Sequence, residues 1–361
     1  MRMLRVKYNK LFVTDNTKIA CIHRQIGRVI MELKGKKVMV VGTGISGIGA
    51  IDLLNKAGAD CIIYDANEKL TEEAVAKKLN GNKAQIIIGE LADDITEKVE
   101  LLVISPGVPV DSPLVKKFEE AGVPVWGEIE LAYNYDKGRI IAITGTNGKT
   151  TTTALVGQIV KAYNEQTYVV GNIGNSYTGE VLKTSENSYT VAEISSFQLE
   201  TVHRFHPVVS AILNITPDHL NRHHTMECYA HTKERIAENQ TKDDVCVLNM
   251  EDEELYRFGS ECKASVVWFS SKRKPDKGAY LDGDDIRYTD GTQDKLMLNI
   301  HDMNLLGTHN YENVCAAIAM TKAVGIPDDI IIEQVKCFKA VEHRIEYVAT
   351  KKGVWYYNDS K

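Results

Sequence analysis

The chain has 361 residues, 43% hydrophobic and 25% charged, the balance of a soluble globular protein, and its length predicts two or three domains rather than one core. No run approaches the ~18 apolar residues of a membrane span, and a net charge of -6 argues against a general nucleic-acid binder, whose footprint is basic. Seven cysteines, an odd number without a C-x-x-C pair, make neither a disulfide framework nor a zinc site; a reduced, cytoplasmic compartment fits them.

Residues 1–30 set Arg2, Arg5, Lys7, Lys10, Lys18, Arg24 and Arg28 against Asp15 alone, with no apolar stretch long enough for a secretory signal. They read as a poorly ordered upstream leader ahead of a natural start at Met31, with an organelle transit peptide as the alternative. From Val38 a strand runs into Gly42-Thr-Gly44-Ile45-Ser46-Gly47, then a helix over 48–56 and a second strand over 61–64 that ends at Asp65. This is the spacing of the Rossmann dinucleotide-binding fingerprint, with an acid near the distance expected for a ribose contact. Alone it is a weak signal, and the oxidoreductase reading would put a nicotinamide cofactor here. A further strand over 101–104 delivers Ser105-Pro-Gly-Val-Pro109, either a ligand loop at the carboxyl end of a sheet or a plain Pro-Gly turn. A domain boundary is expected between residues 127 and 137.

Next come Arg139-Ile-Ile-Ala-Ile-Thr and Gly145-Thr146-Asn147-Gly148-Lys149-Thr150-Thr151: a buried strand, a glycine loop and a helix. Such a loop aims backbone N–H groups and a helix N-terminus at one spot, which suits a phosphate. Lys149 is placed for the outer phosphates and the Thr150 hydroxyl for Mg²⁺. Two residues separate the glycines instead of the usual four, so this is a variant of the phosphate loop; a helix start with a surface lysine is the plain alternative. Strands over 168–170, 189–192 and 208–213 then lead to Gly171-Asn172, to Glu193-Ile-Ser195 and to Thr216-Pro-Asp218-His219. Parallel strands present their carboxyl ends together, so Glu193 and His219 are predicted at the edge that carries Lys149. A hard cation that bridges phosphates wants oxygen ligands, which makes Glu193 a candidate metal ligand with His219 beside it. Lys233 follows on a helix. Two Asp-Gly turns, at 282–283 and 290–291, predict peripheral hairpins. Asn310 and Asn313 sit one turn apart at the start of an alanine-rich helix, as ligand contacts or caps. A helix over 328–338 and a hairpin through Gly353 complete the chain.

Taken together, these motifs, with His343-Arg344 and Asn358-Asp359-Ser-Lys361, resemble the Mur ligase superfamily from about Met31 onward. The Ser-Ser-Phe-Gln-Leu-Glu segment and the N-terminal fingerprint favour its D-glutamate-adding branch over other Mur ligases or folylpolyglutamate synthases. The resemblance implies an α/β fold: a Rossmann-like UDP-substrate domain over 31–128, a central ATP-binding domain with a mostly parallel sheet over 129–340, and the start of a third α/β domain over 341–361. It implies a cytoplasmic, ATP- and Mg²⁺-dependent amide ligase of peptidoglycan synthesis, expected as a monomer, that joins D-glutamate to UDP-N-acetylmuramoyl-L-alanine through an acyl phosphate. Gly44, Ile45, Ser46, Asp65 and Ser105 would hold the uridine diphosphate end, and Asn172, Ser195 and His219 the muramoyl-alanine arm. Gly145 to Thr151, Asn310, Asn313, Arg344 and Asp359 would hold ATP. Thr150, Glu193, His219 and a carbamate formed on Lys233 would serve Mg²⁺, with Lys149, Glu193, His219 and Lys233 as the catalytic set. The family's third domain is represented by about one hairpin, so the chain is expected to be a fragment that binds its ligands and ligates poorly. A nicotinamide-dependent oxidoreductase and a non-catalytic nucleotide-binding module remain as rival readings.

Overall fold

Alternating strands and helices dominate the computed structural model, which describes residues 30–172, 175–339, 346–351 and 354–358, the last two segments as backbone course alone. Residues 1–29, Arg344 and Asp359 lie outside the described residues, and with them all but the last position of the predicted leader. The described residues from Leu33 onward belong to one compact unit.

The first sheet is built from β1 (Lys37–Val41), β2 (Asp60–Asp65), β3 (Gln85–Ile88), β4 (Leu101–Ile104) and β5 (Val125–Gly127), all parallel in the order β3-β2-β1-β4-β5. Val38, Met39 and Val40 are fully buried, as expected of a strand covered on both faces. The strand order reverses between β1 and β4, the position where open α/β sheets bind ligands. The glycine turn after β1 and the Ser105 loop after β4 flank that point. A Cβ at Gly47 would strike the Gly42 carbonyl, so the helix Ile45–Lys56 seats closely on the turn because position 47 has no side chain. β3 and β5 add to the strands expected from the sequence.

The second sheet comprises β6 (Arg139–Thr144), β7 (Thr167–Gly171), β8 (Tyr189–Glu193), β9 (Val209–Ile212), β10 (Val245–Asn249), β11 (Ser265–Ser270), β12 (Gly278–Asp282), β13 (Asp285–Thr289) and β14 (Asp294–Asn299), in the order β14-β13-β12-β11-β10-β9-β6-β8-β7. It is parallel from β7 to β12. The Asp-Gly segments close antiparallel hairpins, and these extend one edge of this same sheet. The helix Lys149–Tyr163 packs against Thr308–Ala323 and Asp328–Cys337. Ala316, Ala317 and Ala319 are fully buried there, and their small side chains let the helix lie close to its neighbours. β15 (Glu346–Lys351) and β16 (Val354–Asn358) pair antiparallel. Among the described residues, no helix is long and apolar enough to cross a membrane.

Candidate active site

Three strands of the second sheet end level with one another. β6 pairs with β8 so that Ile143 lies opposite Glu193, and with β9 so that Thr144 lies opposite Ile212. The loops after them therefore leave from one edge.

The glycine loop after β6 is fastened to the loop after β9. Thr146 N–H donates to the Asn214 carbonyl at 2.9 Å, Asn147 N–H to Asn214 Oδ1 at 2.8 Å, and Asn214 Nδ2 donates back to the Asn147 carbonyl at 3.1 Å. Thr146 Oγ1 donates to the Thr216 carbonyl at 3.1 Å, accepts from Thr216 N–H at 3.0 Å and lies 3.1 Å from Tyr229 Oη. Gly148 adopts a left-handed φ of 84° at the start of the helix, with no side-chain cap over the first N–H groups. That is the geometry a helix N-terminus offers to an anion. A Cβ at Gly148 would run into Asn313 Oδ1, which places Asn313 against the loop. Its Nδ2 donates to Asn310 Oδ1 at 3.4 Å, and Asn310 Nδ2 donates to the Leu306 carbonyl at 2.8 Å. Lys149 Nζ folds back and donates to the carbonyls of Gly145 and Thr146, both at 2.9 Å. Thr150 is half-buried and Thr151 buried.

Glu193 is 1% exposed. Its Oε1 accepts from Asn172 Nδ2 at 2.9 Å, while its Oε2, also buried, meets no hydrogen-bond partner among the described residues. An unpartnered buried carboxylate oxygen is costly, and a divalent cation beside the phosphate cradle would satisfy it. Among the described residues no three His, Cys, Asp or Glu side chains gather at metal-ligating spacing. A cation here would draw its other ligands from hydroxyls, water and phosphate oxygens, the habit of Mg²⁺.

Lys233 is fully buried on the helix Met226–Glu234. Its Nζ donates to the Gly145 carbonyl at 2.9 Å and lies 4.7 Å from the centre of the Tyr229 ring. Burial, then the charge of Lys149, push its ammonium down to about 7, against an opposing pull from Asp218. His219 is half-exposed in a left-handed conformation, φ 51°. Its Nε2 stands 3.7 Å from Asp218 Oδ2, and its ring lies 4.9 Å from that of Phe197. Four residues on, the buried His223 faces Ser196 Oγ at 3.0 Å through Nε2 and stacks on Phe197. Burial, then the nearby charges of Lys233 and Arg222, hold its imidazole down to about 4. Ser195 caps a short helix: its hydroxyl accepts from Gln198 N–H at 3.3 Å and donates to Gln198 Oε1 at 2.9 Å.

In the first sheet Asp65 reaches back to the glycine turn. Its Oδ2 accepts from the N–H and hydroxyl of Thr43 at 3.1 and 2.8 Å, and its Oδ1 accepts from Asn67 N–H at 3.0 Å. Burial pushes this carboxyl upward, yet those bonds outweigh it and leave it below its ordinary value. Gly44 is the N-cap of the following helix, where Ile45 is 85% exposed. Ser105 Oγ is buried and has no hydrogen-bond partner among the described residues. Sequence reasoning passed over two contributors to this region. Glu128, buried at the start of the helix Glu128–Tyr133, lines a crevice with Ser105, Phe197 and Gln198, and Arg222 bridges loops of both sheets. Neither belongs to a local motif that a spacing rule would detect.

Residues 36–127 match the Mur ligase MurD-like N-terminal domain and residues 143–321 the Mur ligase middle domain. Among curated proteins, the chain is 79% identical over 331 residues to a UDP-N-acetylmuramoylalanine–D-glutamate ligase of Lachnospira eligens, covering 92% of this chain and 74% of that protein. A protein of the same description from Clostridioides difficile is 45% identical over 334 residues, covering 92% and 73%. Among solved structures, a UDP-N-acetylmuramate-alanine ligase from Thermotoga maritima shares the fold with a TM-score of 0.53 at 21% identity, over 90% of this chain and 74% of that one. A MurF ligase from Thermotoga maritima in complex with ADP gives 0.52 at 17% identity, over 92% and 70%. The chain belongs to the Mur ligase family.

Proposed function

We propose that the chain performs the acceptor- and nucleotide-binding work of an ATP-dependent ligase that adds D-glutamate to UDP-N-acetylmuramoyl-L-alanine. The observation that carries this reading is the level ending of β6, β8 and β9, which gathers the Lys149 cradle and the Glu193 carboxylate, whose buried Oε2 has no hydrogen-bond partner among the described residues, on one edge. A simple nucleotide-binding fold does not require the second of these. Residues 31–128 read as the acceptor domain and 129–340 as the ATP domain; a cytoplasmic monomer is the working state.

In this reading the glycine loop and the helix start at Lys149 cradle the phosphates of ATP, and Lys149 exchanges its two loop carbonyls for the outer phosphates. Glu193 and Thr150 would hold Mg²⁺, with His219 on the adjacent loop; the ion would neutralise charge on the transferring phosphoryl group. An oxygen of the acceptor's alanine carboxylate attacks the γ-phosphorus and ADP leaves. The glutamate amine then attacks the acyl carbon of the mixed anhydride, phosphate leaves, and the nitrogen loses a proton. The protein contributes placement and charge compensation, the recurring parts of phosphoryl transfer.

Lys233 has a further role in the proposal. An ammonium lowered to about 7 is substantially neutral amine near neutral pH, the form that adds CO₂ and releases a proton to give a carbamate. That turns a cation facing Lys149 into an anionic oxygen donor of the kind magnesium prefers. Protein equilibrated with carbon-13 bicarbonate is expected to show a carbamate carbon signal that disappears in Lys233→Ala; a signal surviving the substitution refutes the assignment.

Calorimetric titration with UDP-N-acetylmuramoyl-L-alanine and with ATP and Mg²⁺ tests the reading as a whole. Saturable binding of both supports it, and phosphate release that follows D-glutamate rather than other amino acids identifies the addition. Failure to bind either ligand, or saturable quenching of NADH fluorescence instead, overturns it.

A further inference from the structure

The two sheets meet along the crevice lined by Ser105, Val108, Glu128, Phe197 and Gln198, and one side chain fastens that seam. Arg222 leaves the loop after β9. Its Nη2 donates to the Val108 carbonyl at 2.9 Å, in the loop after β4 of the first sheet. The same guanidinium grips Glu200, Nε to Oε1 at 3.2 Å and Nη2 to Oε2 at 2.5 Å, in the segment after β8. Its Cζ lies 5.1 Å from the centre of the Phe197 ring, and that ring also touches His219 and His223. Arg222 and Glu200 are 14% and 9% exposed at their side chains, so the pair is little screened and its geometry is held.

We infer that Arg222 is a positioning residue for the acceptor: by tying the loops after β4, β8 and β9 into one assembly, it fixes the placement of the first sheet's ligand loops relative to the phosphate edge of the second, both of which the acceptor must reach. The inference rests on the proposed function, since it presumes an acceptor that spans both sheets. Its physical basis is the planar guanidinium fork, which meets a carboxylate through two parallel bonds, presents a further N–H to a carbonyl and stacks on an aromatic face at once; a lysine ammonium cannot reproduce that combination. ATP, held by the Gly145–Thr150 loop and Asn313, makes no use of the Val108 contact. The two ligands should therefore respond differently when the tie is cut.

The test is calorimetric titration of the full chain and its Arg222→Met, Arg222→Lys and Glu200→Gln variants with UDP-N-acetylmuramoyl-L-alanine and, separately, with ATP and Mg²⁺. Arg222→Met is expected to weaken the acceptor by about tenfold or more, because misplacing a binding surface by about an ångström carries penalties of that order, while the affinity for ATP stays near that of the parent. Lysine should recover little of the loss, and adding Arg222→Met to Glu200→Gln should cost less than it does alone, the non-additivity of residues that act together. Unchanged acceptor affinity in Arg222→Met overturns the inference, as does a parallel loss of both ligands or of the fold in Arg222→Met and Glu200→Gln alike, which marks a purely structural pair. Absence of acceptor binding in the parent chain overturns the proposed function itself, and the inference with it.

Discussion

At the scale of single residues, the candidate site sets the buried Glu193 and Lys233 beside the partly exposed Lys149 and His219. Lys149 is the most direct to test, because its ammonium bonds two carbonyls of the cradle it lines. Lys149→Ala is expected to weaken ATP with Mg²⁺ by on the order of 10²-fold, by analogy with other preorganised charge contacts, as read by calorimetry; a change of less than about threefold, under 1 kcal/mol, would remove it from the phosphate site. His223 gives a pH signature. Its imidazole is held at about 4 in the folded chain against an ordinary 6.5, so the unfolded chain binds the extra proton first. The stability contributed by this group is present above pH 6.5 and is lost as pH falls toward 4. Denaturant titrations across that range should slope less steeply in His223→Gln; an identical slope would show that the acid sensitivity lies elsewhere.

Elements explain which parts of this arrangement a reader of the sequence can see. The strand, glycine loop and helix around Lys149 are contiguous, so spacing alone reveals them, and the same holds for Glu193 at the end of β8. The tie between Arg222 and Val108 joins positions 114 apart in the chain and leaves no local trace. β3 was illegible for another reason: none of its four residues is fully buried, which blurs the pattern of a covered strand, and β5 has only three residues. The hairpins at the Asp-Gly turns were legible as hairpins, but not as the far edge of the main sheet, because turn chemistry fixes a local pairing and says nothing of the next strand over. Element geometry also makes a prediction at Gly148. Its φ of 84° costs an ordinary residue about 1–2 kcal/mol, and a methyl group there meets Asn313 as well. Gly148→Ala should lower the midpoint of thermal unfolding and weaken nucleotide more than acceptor; an unaltered midpoint with full nucleotide affinity would mean that the loop relaxes freely.

For the whole molecule, the proposed function gives each sheet a ligand of its own, and ligands for each should register in the stability of the folded chain. A ligand that binds only the native state at about 100 times its dissociation constant adds about 2.7 kcal/mol. Thermal scans should therefore rise with UDP-N-acetylmuramoyl-L-alanine and with ATP and Mg²⁺, and stay level with NADH. A rise with NADH alone would reassign the first sheet to a nicotinamide cofactor. Length and composition predicted two or three domains, and the described residues from Leu33 onward carry two large sheets within one compact unit. The seam between the sheets was not foretold, since it is written in carbonyls and paired side chains that any sequence of similar composition can supply.

The folded-back posture of Lys149 carries one more consequence. Its ammonium cross-braces the loop through the carbonyls of Gly145 and Thr146, so the side chain contributes to the shape of the loop as well as to its charge. Lys149→Ala therefore removes a brace and a charge together, and Lys149→Met, which keeps the length of the side chain but not its donors, separates bulk from bonding.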